Sequence, residues 1–407
     1  MNELNERSID LGHRPARMGL AVVMAALLLL TGAAWRGVVA QSPAAVAQAA
    51  PSAATSIPHG VAGGRDSYAD VVQVVAPAVV TIRTEGASKG SPTEFQGDDF
   101  FRRFFGDQFD GSPRQPRSFK QSGLGSGVIV SGDGYILTNF HVVEGADDIR
   151  VDLTDGRTLA ATPIGSDKPS DLALLKITAS DLHALALGNS DAVQVGDVVL
   201  AVGNPLGIGQ TVTMGIISAK GRSTGVGDGG YEDFLQTDAP INHGNSGGAL
   251  VNTKGELIGI NSQILSTSDG NIGIGFAIPA NMARHVMDEL RQGGRVRRAQ
   301  LGVTVQPVTS DMAASLGLKH VGGALVASVA PGSAAGRAGI VQGDVIESFN
   351  GQPVGDTNSL RNHVAAAEPG STASVIVLRN GSEKTLTVKL DETEGSKSAR
   401  RGDRRKS

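Results

Sequence analysis

Between Ser67 and about Ile278 the chain repeats one pattern: a short β-rich run, a turn pair, then another β-rich run. "AVVTIR" (78–83), "GVIVSGDGYILT", "IRVDLTDGRTLAATPIG" and "ALVNTKGELIGI" carry it, with turn pairs at Asp133-Gly134 and Asp155-Gly156. Asp-Gly pairs accept the positive φ of tight hairpins, so successive runs are expected to pair antiparallel. Helical periodicity is slight here, and no strand–helix alternation appears. The pattern predicts antiparallel barrels. The 55 glycines among 407 residues suit a chain of many turns. "NMARHVMDELRQGG" breaks the rhythm. Met282, Val286, Met287 and Leu290 share one helical face, Asn281 is placed to cap the start, and Gly293 to end it. A closing helix and a domain boundary are expected there.

A smaller unit follows from about Ala299 to Leu390. Strands are expected near Leu301–Gln306, Gly323–Val329, Asp344–Phe349 and Ala373–Leu378, with helices at Ser333–Ala338 and Thr357–Ala367 and a hairpin turn at Asn380-Gly381. The chain therefore divides into a leader (1–40), a linker (41–66), a β-rich domain (67–292), a small domain (298–391) and a basic, disordered tail (392–407). In the leader, Arg14 and Arg17 precede the apolar run Met18–Trp35, and small residues come after. That reads as an export signal or as a retained anchor helix. Either places the rest outside the cytoplasm. A Phe-rich insertion (about 85–122) holds seven of the eleven Phe between Phe95 and Phe119. It forms either a local helix packed on its own barrel or an apolar docking patch.

Composition narrows the function. The formal net charge of -4 argues against an ordinary nucleic-acid binder. With no cysteine, disulfides, thiol catalysis and Cys-ligated metals are excluded. No His-Glu-x-x-His or comparable cluster exists, so neither a metal nor another cofactor is expected.

Against that background "NHGNSGGAL" (242–250) stands out, with a serine in a glycine-rich turn. The Gly-x-Ser-x-Gly elbow of α/β-hydrolases needs a helix after the serine, and here a hairpin follows. The chymotrypsin-like template fits better. A glycine two before the serine lets the backbone N–H groups of Gly244 and Ser246 converge on an oxyanion. That template requires the order His, Asp, Ser. The chain supplies His141 in "ILTNFHVVEG", Asp171 in "KPSDLALLKI", then Ser246. His141 would act as general base and acid, and Asp171 would fix its tautomer. Each residue alone is usually structural; their order, with donors beside the serine on a strand-rich chain, points to catalysis. His243 lies too close to Ser246 in sequence and has no carboxylate to orient it.

"TNFHVV", "SDLALLKI", "LAVGNPLG", "TDAPINHGNSGGALVNTKGELIGIN" and "GNIGIGFAIP" together resemble the HtrA/Deg family of serine proteases, in its DegP/DegQ-like branch. "QLGVTVQ" and "APGSAAGRAGIVQGDVIESFNG" resemble a PDZ domain. The resemblance implies a mostly β fold: a chymotrypsin-like double β-barrel followed by one PDZ domain. It implies an ATP-independent endoprotease of misfolded exported proteins, periplasmic and assembled from trimers. A chaperone or holdase, or a peptide-binding adaptor on a protease scaffold, is the alternative. It assigns His141, Asp171 and Ser246 as the triad and the amides of Gly244, Asn245 and Ser246 to the oxyanion hole. Ile241 would line the pocket for the residue before the cut, and Arg222 would belong to a regulatory loop. DegP and DegQ carry two PDZ domains, and the single one here is also a feature of the membrane-anchored DegS-like branch. From its own residues, the small domain offers a sheet edge that can take an added peptide strand. The amides of Leu301, Gly302 and Val303 would hold a terminal carboxylate there.

Overall fold

A computed structural model describes residues 67–87, 120–204, 209–225, 230–242, 244–264, 272–318 and 320–393. The leader, the linker, most of the Phe-rich insertion, His243 and the residues after 393 lie outside the described residues.

The first layer is a seven-stranded antiparallel sheet built from β1 (Val79–Ala87), β2 (Lys120–Ile129), β3 (Tyr135–Thr138), β4 (Asp148–Asp152), β5 (Thr158–Ala160), β6 (Thr162–Asp167) and β7 (Leu172–Lys176), in the order β5-β4-β1-β2-β3-β7-β6. The second is a closed barrel of β8 (Val198–Gly203), β9 (Thr211–Arg222), β10 (Phe234–Thr237), β11 (Ala249–Asn252), β12 (Leu257–Ile264) and β13 (Gly275–Pro279), in the order β10-β13-β12-β11-β8-β9. The mostly β architecture expected from the turn-punctuated runs is present.

Period-two patterning explains how the layers stack. On β7, Leu172 and Leu174 enter a core that joins the two layers, whereas Leu175 packs within the first sheet. On β8, Leu200 and Val202 face the same joint core, while Val199 and Ala201 fill the barrel. Strands buried on both faces read as continuous apolar runs, as "LALL" and "VVLAV" do.

Two helices close this joint core. The first, α1 (Ala69–Val75), lies where only strands were expected. Its valines favour strands as residues, but Val71 and Val75, one turn apart, both bury in the joint core. The segment Phe140–Val143 (α2) is a single turn after β3. The closing helix, α3 (Ala280–Gly293), buries Val286, Met287 and Leu290 as expected. Its ends differ from expectation. The N-cap is Pro279, and the Asn281 side chain donates to Asn189 Oδ1 at 2.8 Å instead of capping. Gly294 rather than Gly293 takes the left-handed stop, at φ 68°.

The small domain holds β14 (Ala299–Gln300), β15 (Val303–Pro307), α4 (Ser310–Leu316), β16 (Ala324–Val329), α5 (Ala334–Arg337), β17 (Val345–Phe349), β18 (Gln352–Pro353), α6 (Thr357–Ala366), β19 (Thr372–Arg379), β20 (Ser382–Lys389) and β21 (Asp391–Glu392). Its main sheet runs β15-β16-β17-β19-β20, which leaves β15 at an edge beside α6. Two strands start later than expected because Gly302 and Gly323 sit at φ 75° and 84°, outside the strand region.

Leu174 is fully buried between the layers. Leu174→Ala is expected to lower unfolding free energy by about 2–5 kcal/mol in a denaturant titration, and a loss below about 1 kcal/mol would contradict this packing.

Candidate active site

His141 stands on the single turn α2, and Asp171 on the tight turn before β7. Antiparallel pairing of β3 with β7 brings their ends together, with Thr138 opposite Ala173. Asp171 occupies the left-handed region at φ 54°, unusual for a residue with a side chain. Its surroundings hold it there. Its amide donates to Lys168 O at 3.0 Å, and its carbonyl accepts from Phe140 N at 3.1 Å and Asn139 Nδ2 at 3.0 Å. The carboxylate then faces His141. It accepts from the His141 backbone N–H at 3.1 Å, and its oxygens lie 3.0 and 2.9 Å from Nδ1. A proton on Nδ1 leaves Nε2 as the basic nitrogen of the neutral ring.

Ser246 belongs to the barrel and sits in the turn entering β11. The Asn245 amide donates to Asn242 O at 3.0 Å, closing a four-residue turn whose third residue, Gly244, has φ 94°. A type II turn requires such a value at that position. No described residue accepts from the amides of Gly244 or Ser246. The Asn245 amide, expected at the oxyanion hole, closes the turn in this structure. The Ser246 hydroxyl donates to Ser262 O at 3.0 Å. The Ser262 hydroxyl in turn donates to Asp171 Oδ2 at 2.9 Å. One residue of β12 thus touches both the serine and the aspartate.

Three contacts pin the serine turn. Ser126 of β2 donates its amide to Ser246 O at 2.8 Å and its hydroxyl to Gly244 O at 2.5 Å. Gly247 N donates to Asn261 O at 2.8 Å. Neither Ser126 nor Ser262 was singled out from the sequence, because neither lies in a motif. The hairpin register was the usable signal for Ser262. Ala249 pairs with Ile260, so Ser262 falls opposite Gly247.

Other expected residues lie apart from this group. Ile241 is fully buried in the barrel core beside Gly275, where an added Cβ would come within 3.0 Å of its side chain. Arg222 ends β9 and donates to Gln236 Oε1 at 3.2 Å. Leu301, Gly302 and Val303 lead into the edge strand of the small domain. Leu301 O and Gly302 O accept from Ala335 N and Ala330 N, each at 2.9 Å.

A buried ion pair supports the Asp171 turn from behind. Arg298 reaches both oxygens of Asp167, through Nη1 at 2.8 Å and Nη2 at 2.5 Å, and its guanidinium lies 4.2 Å from the Tyr231 ring centroid. Asp167 also accepts from Ser170 N at 3.1 Å, which shapes the turn Lys168–Ser170.

Residues 125–260 match the Trypsin-like peptidase domain family, and residues 298–390 match the PDZ domain family. Fold and site together define a trypsin-like serine endopeptidase that carries a PDZ domain. The periplasmic pH-dependent serine endoprotease DegQ of Escherichia coli K12 is 46% identical over 351 residues, covering 84% of this chain and 75% of DegQ. A probable periplasmic DegP-like serine endoprotease of Hahella chejuensis is 47% identical over 331 residues, covering 79% and 69%. Among solved structures, the HtrA-type protease AlgW with a tripeptide superposes with TM-score 0.64 at 45% identity, covering 80% of this chain and 97% of AlgW. The chain belongs to the HtrA/Deg family of serine endoproteases.

Gly247 is at φ 81°, and a Cβ there would collide with Ser126 O and Thr138 Oγ1. Gly247→Ala is expected to cost about 1–3 kcal/mol of stability in chemical denaturation and to lower peptidase activity of the folded fraction. Unchanged stability and activity would show that the turn is not held as described.

Proposed function

We propose that this chain is an ATP-independent endoprotease that degrades misfolded or unfolded exported proteins in the periplasm, with Ser246 as nucleophile, His141 as general base and acid, and Asp171 as the orienting carboxylate. The observation that carries the reading is the placement of Asp171, bonded to His141 Nδ1 and, through Ser262, linked to Ser246. Rotation about the Ser246 side chain turns its hydroxyl from Ser262 O toward His141 Nε2. Nε2 takes the proton as Oγ attacks the scissile carbonyl, and the resulting imidazolium is stabilised by Asp171. Nε2 then gives the proton to the leaving amine, and the acyl-enzyme forms. Water, deprotonated by the same nitrogen, releases the product and restores Ser246. The amides of Gly244 and Ser246 are the donors for the oxyanion, the position where charge develops.

Ile241 sets a small aliphatic preference at the residue before the cut. Arg222 belongs to a loop that relays peptide binding to the active site. The PDZ domain captures extended C-terminal peptides on β15, with the amides of Leu301, Gly302 and Val303 at the carboxylate. The open edge of β15 beside α6 supports this, since an exposed strand edge accepts an added strand. Trimeric assembly completes the reading, as does export by the leader, which fits the periplasmic relatives.

Ser246→Ala should leave the thermal melt unchanged and abolish cleavage of unfolded casein. Continued cleavage by the pure variant would remove Ser246 from the mechanism, and full protection of clients without cleavage by the unmodified protein would favour a holdase. Asp171→Asn, with the fold intact, should lower turnover by about 10⁴-fold, measured on a small amide substrate.

A further inference from the structure

A cleft of about 620 Å³ separates the peptidase domain from the PDZ domain. It is bounded by α3 and the start of β10 on one side and by α6 on the other. Two hydrogen bonds fasten its rim: Asn358 and Asn362 of α6 each donate Nδ2 to Glu232 O at 2.7 Å.

Several polar atoms in the cleft have no partner among the described residues. Arg298 is neutralised by Asp167, and Lys220 Nζ donates to the carbonyls of Asp191 and Val193 at 2.9 and 2.6 Å. Among the described residues, by contrast, none forms an ion pair or hydrogen bond with the Asp233 carboxylate. Burial, with the nearby charge of Asp191, pushes its carboxyl up to about 6, against the pull of Lys220 and with the help of Asp356. Asn362 Oδ1, His285 Nε2 and His363 Nδ1 are buried without partners in the same cleft. Burial also lowers the pKa of His363, opposing the charges of Asp191 and Asp356, which favours a neutral ring able to accept. A half-buried carboxylate, the Asn362 carbonyl oxygen and two imidazole nitrogens, acceptors when the proton sits on the other ring nitrogen, suit a ligand rich in cationic donors, and a guanidinium has five donors and no acceptor.

The chain carries such a ligand. The described structure leaves off at Thr393, whose amide donates 2.9 Å to the carbonyl of Arg298, a residue that lines the cleft. The next residues, 394–407, hold Lys397, Arg400, Arg401, Arg404, Arg405 and Lys406 against only Glu394 and Asp403. The segment starts at the cleft and is long enough to fold back into it, at about 3.3 Å per extended residue. We propose that the basic segment 394–407 docks in this interdomain cleft and pairs an arginine with Asp233, strapping the PDZ helix α6 to the peptidase domain. Charge and donor–acceptor complementarity select this occupant, and neither depends on how the segment ends.

The chain has no cysteine, so engineered pairs report cleanly. The full-length protein carrying Arg400→Cys with Gln352→Cys, a cleft residue, is treated with a short bifunctional maleimide, and the linked peptide is quantified by mass spectrometry. Arg400→Cys with Gln306→Cys, at the exposed PDZ edge strand, is the comparison. We expect the cleft pair to link at least about 5-fold more at low salt, and that excess to fall at 0.5 M salt, where the exposed arginines of the segment are screened. Asp191→Asn with Asp233→Asn should remove the excess, and a fall in pH from 7.5 to 5.5 should reduce it, since protonation of Asp233 competes with the docked arginine. Gln substitutions at Arg401, Arg404 and Arg405 should do the same without touching the described fold. Equal linking of the two pairs, preferential linking to the edge strand, linking mainly between two copies, or indifference to the aspartate and arginine substitutions would each overturn the proposal.

Discussion

The amide of Ser126 and the carbonyl of Ser246 meet at 2.8 Å across the seam between the two β layers. Most of the site follows from that contact. It fixes the height of the serine turn against the sheet that carries His141 and Asp171. The Ser126 hydroxyl holds Gly244 O, so the plane of the following peptide cannot turn freely. Asn204 N donates to the same hydroxyl at 2.9 Å, and Thr138 Oγ1 donates to Ser126 O at 2.7 Å, which fixes Ser126 in turn. Gly247 is required because this close approach leaves no room for a side chain.

The second constraint is the left-handed Asp171. A strained residue persists only where its neighbours over-determine it. Here the carbonyl is held by Asn139 and Phe140, and the turn before it is held by Asp167. Asp167 is itself paired with Arg298, at the entrance to the PDZ domain. The geometry beside His141 therefore rests on a residue 131 positions downstream of its partner. Removing one half of so buried a pair leaves an uncompensated charge, a costly state.

Local signals made the strand pattern and the three candidate catalytic side chains legible. Asp-Gly pairs mark real hairpins, and His141, Asp171 and Ser246 each sit beside a strand end where a short motif locates them. Signals that depend on register or packing were not legible. Ser262 acquires its two contacts only through the β11–β12 register. Helix α1 looks like a strand until Val71 and Val75 find the joint core. Asn281 has the composition of a helix cap, but a neighbouring loop offers Asn189 and takes its side chain instead. The role of the Asn245 amide depended on how the turn closes, which composition does not reveal.

The central claim is that one serine, activated by a histidine from the other β layer, performs the chemistry. A fluorophosphonate probe followed by peptide mass spectrometry tests it most directly. The account predicts one label per chain, on Ser246, and loss of labelling in a folded His141→Ala variant. A label on another residue, or undiminished labelling without His141, would contradict it.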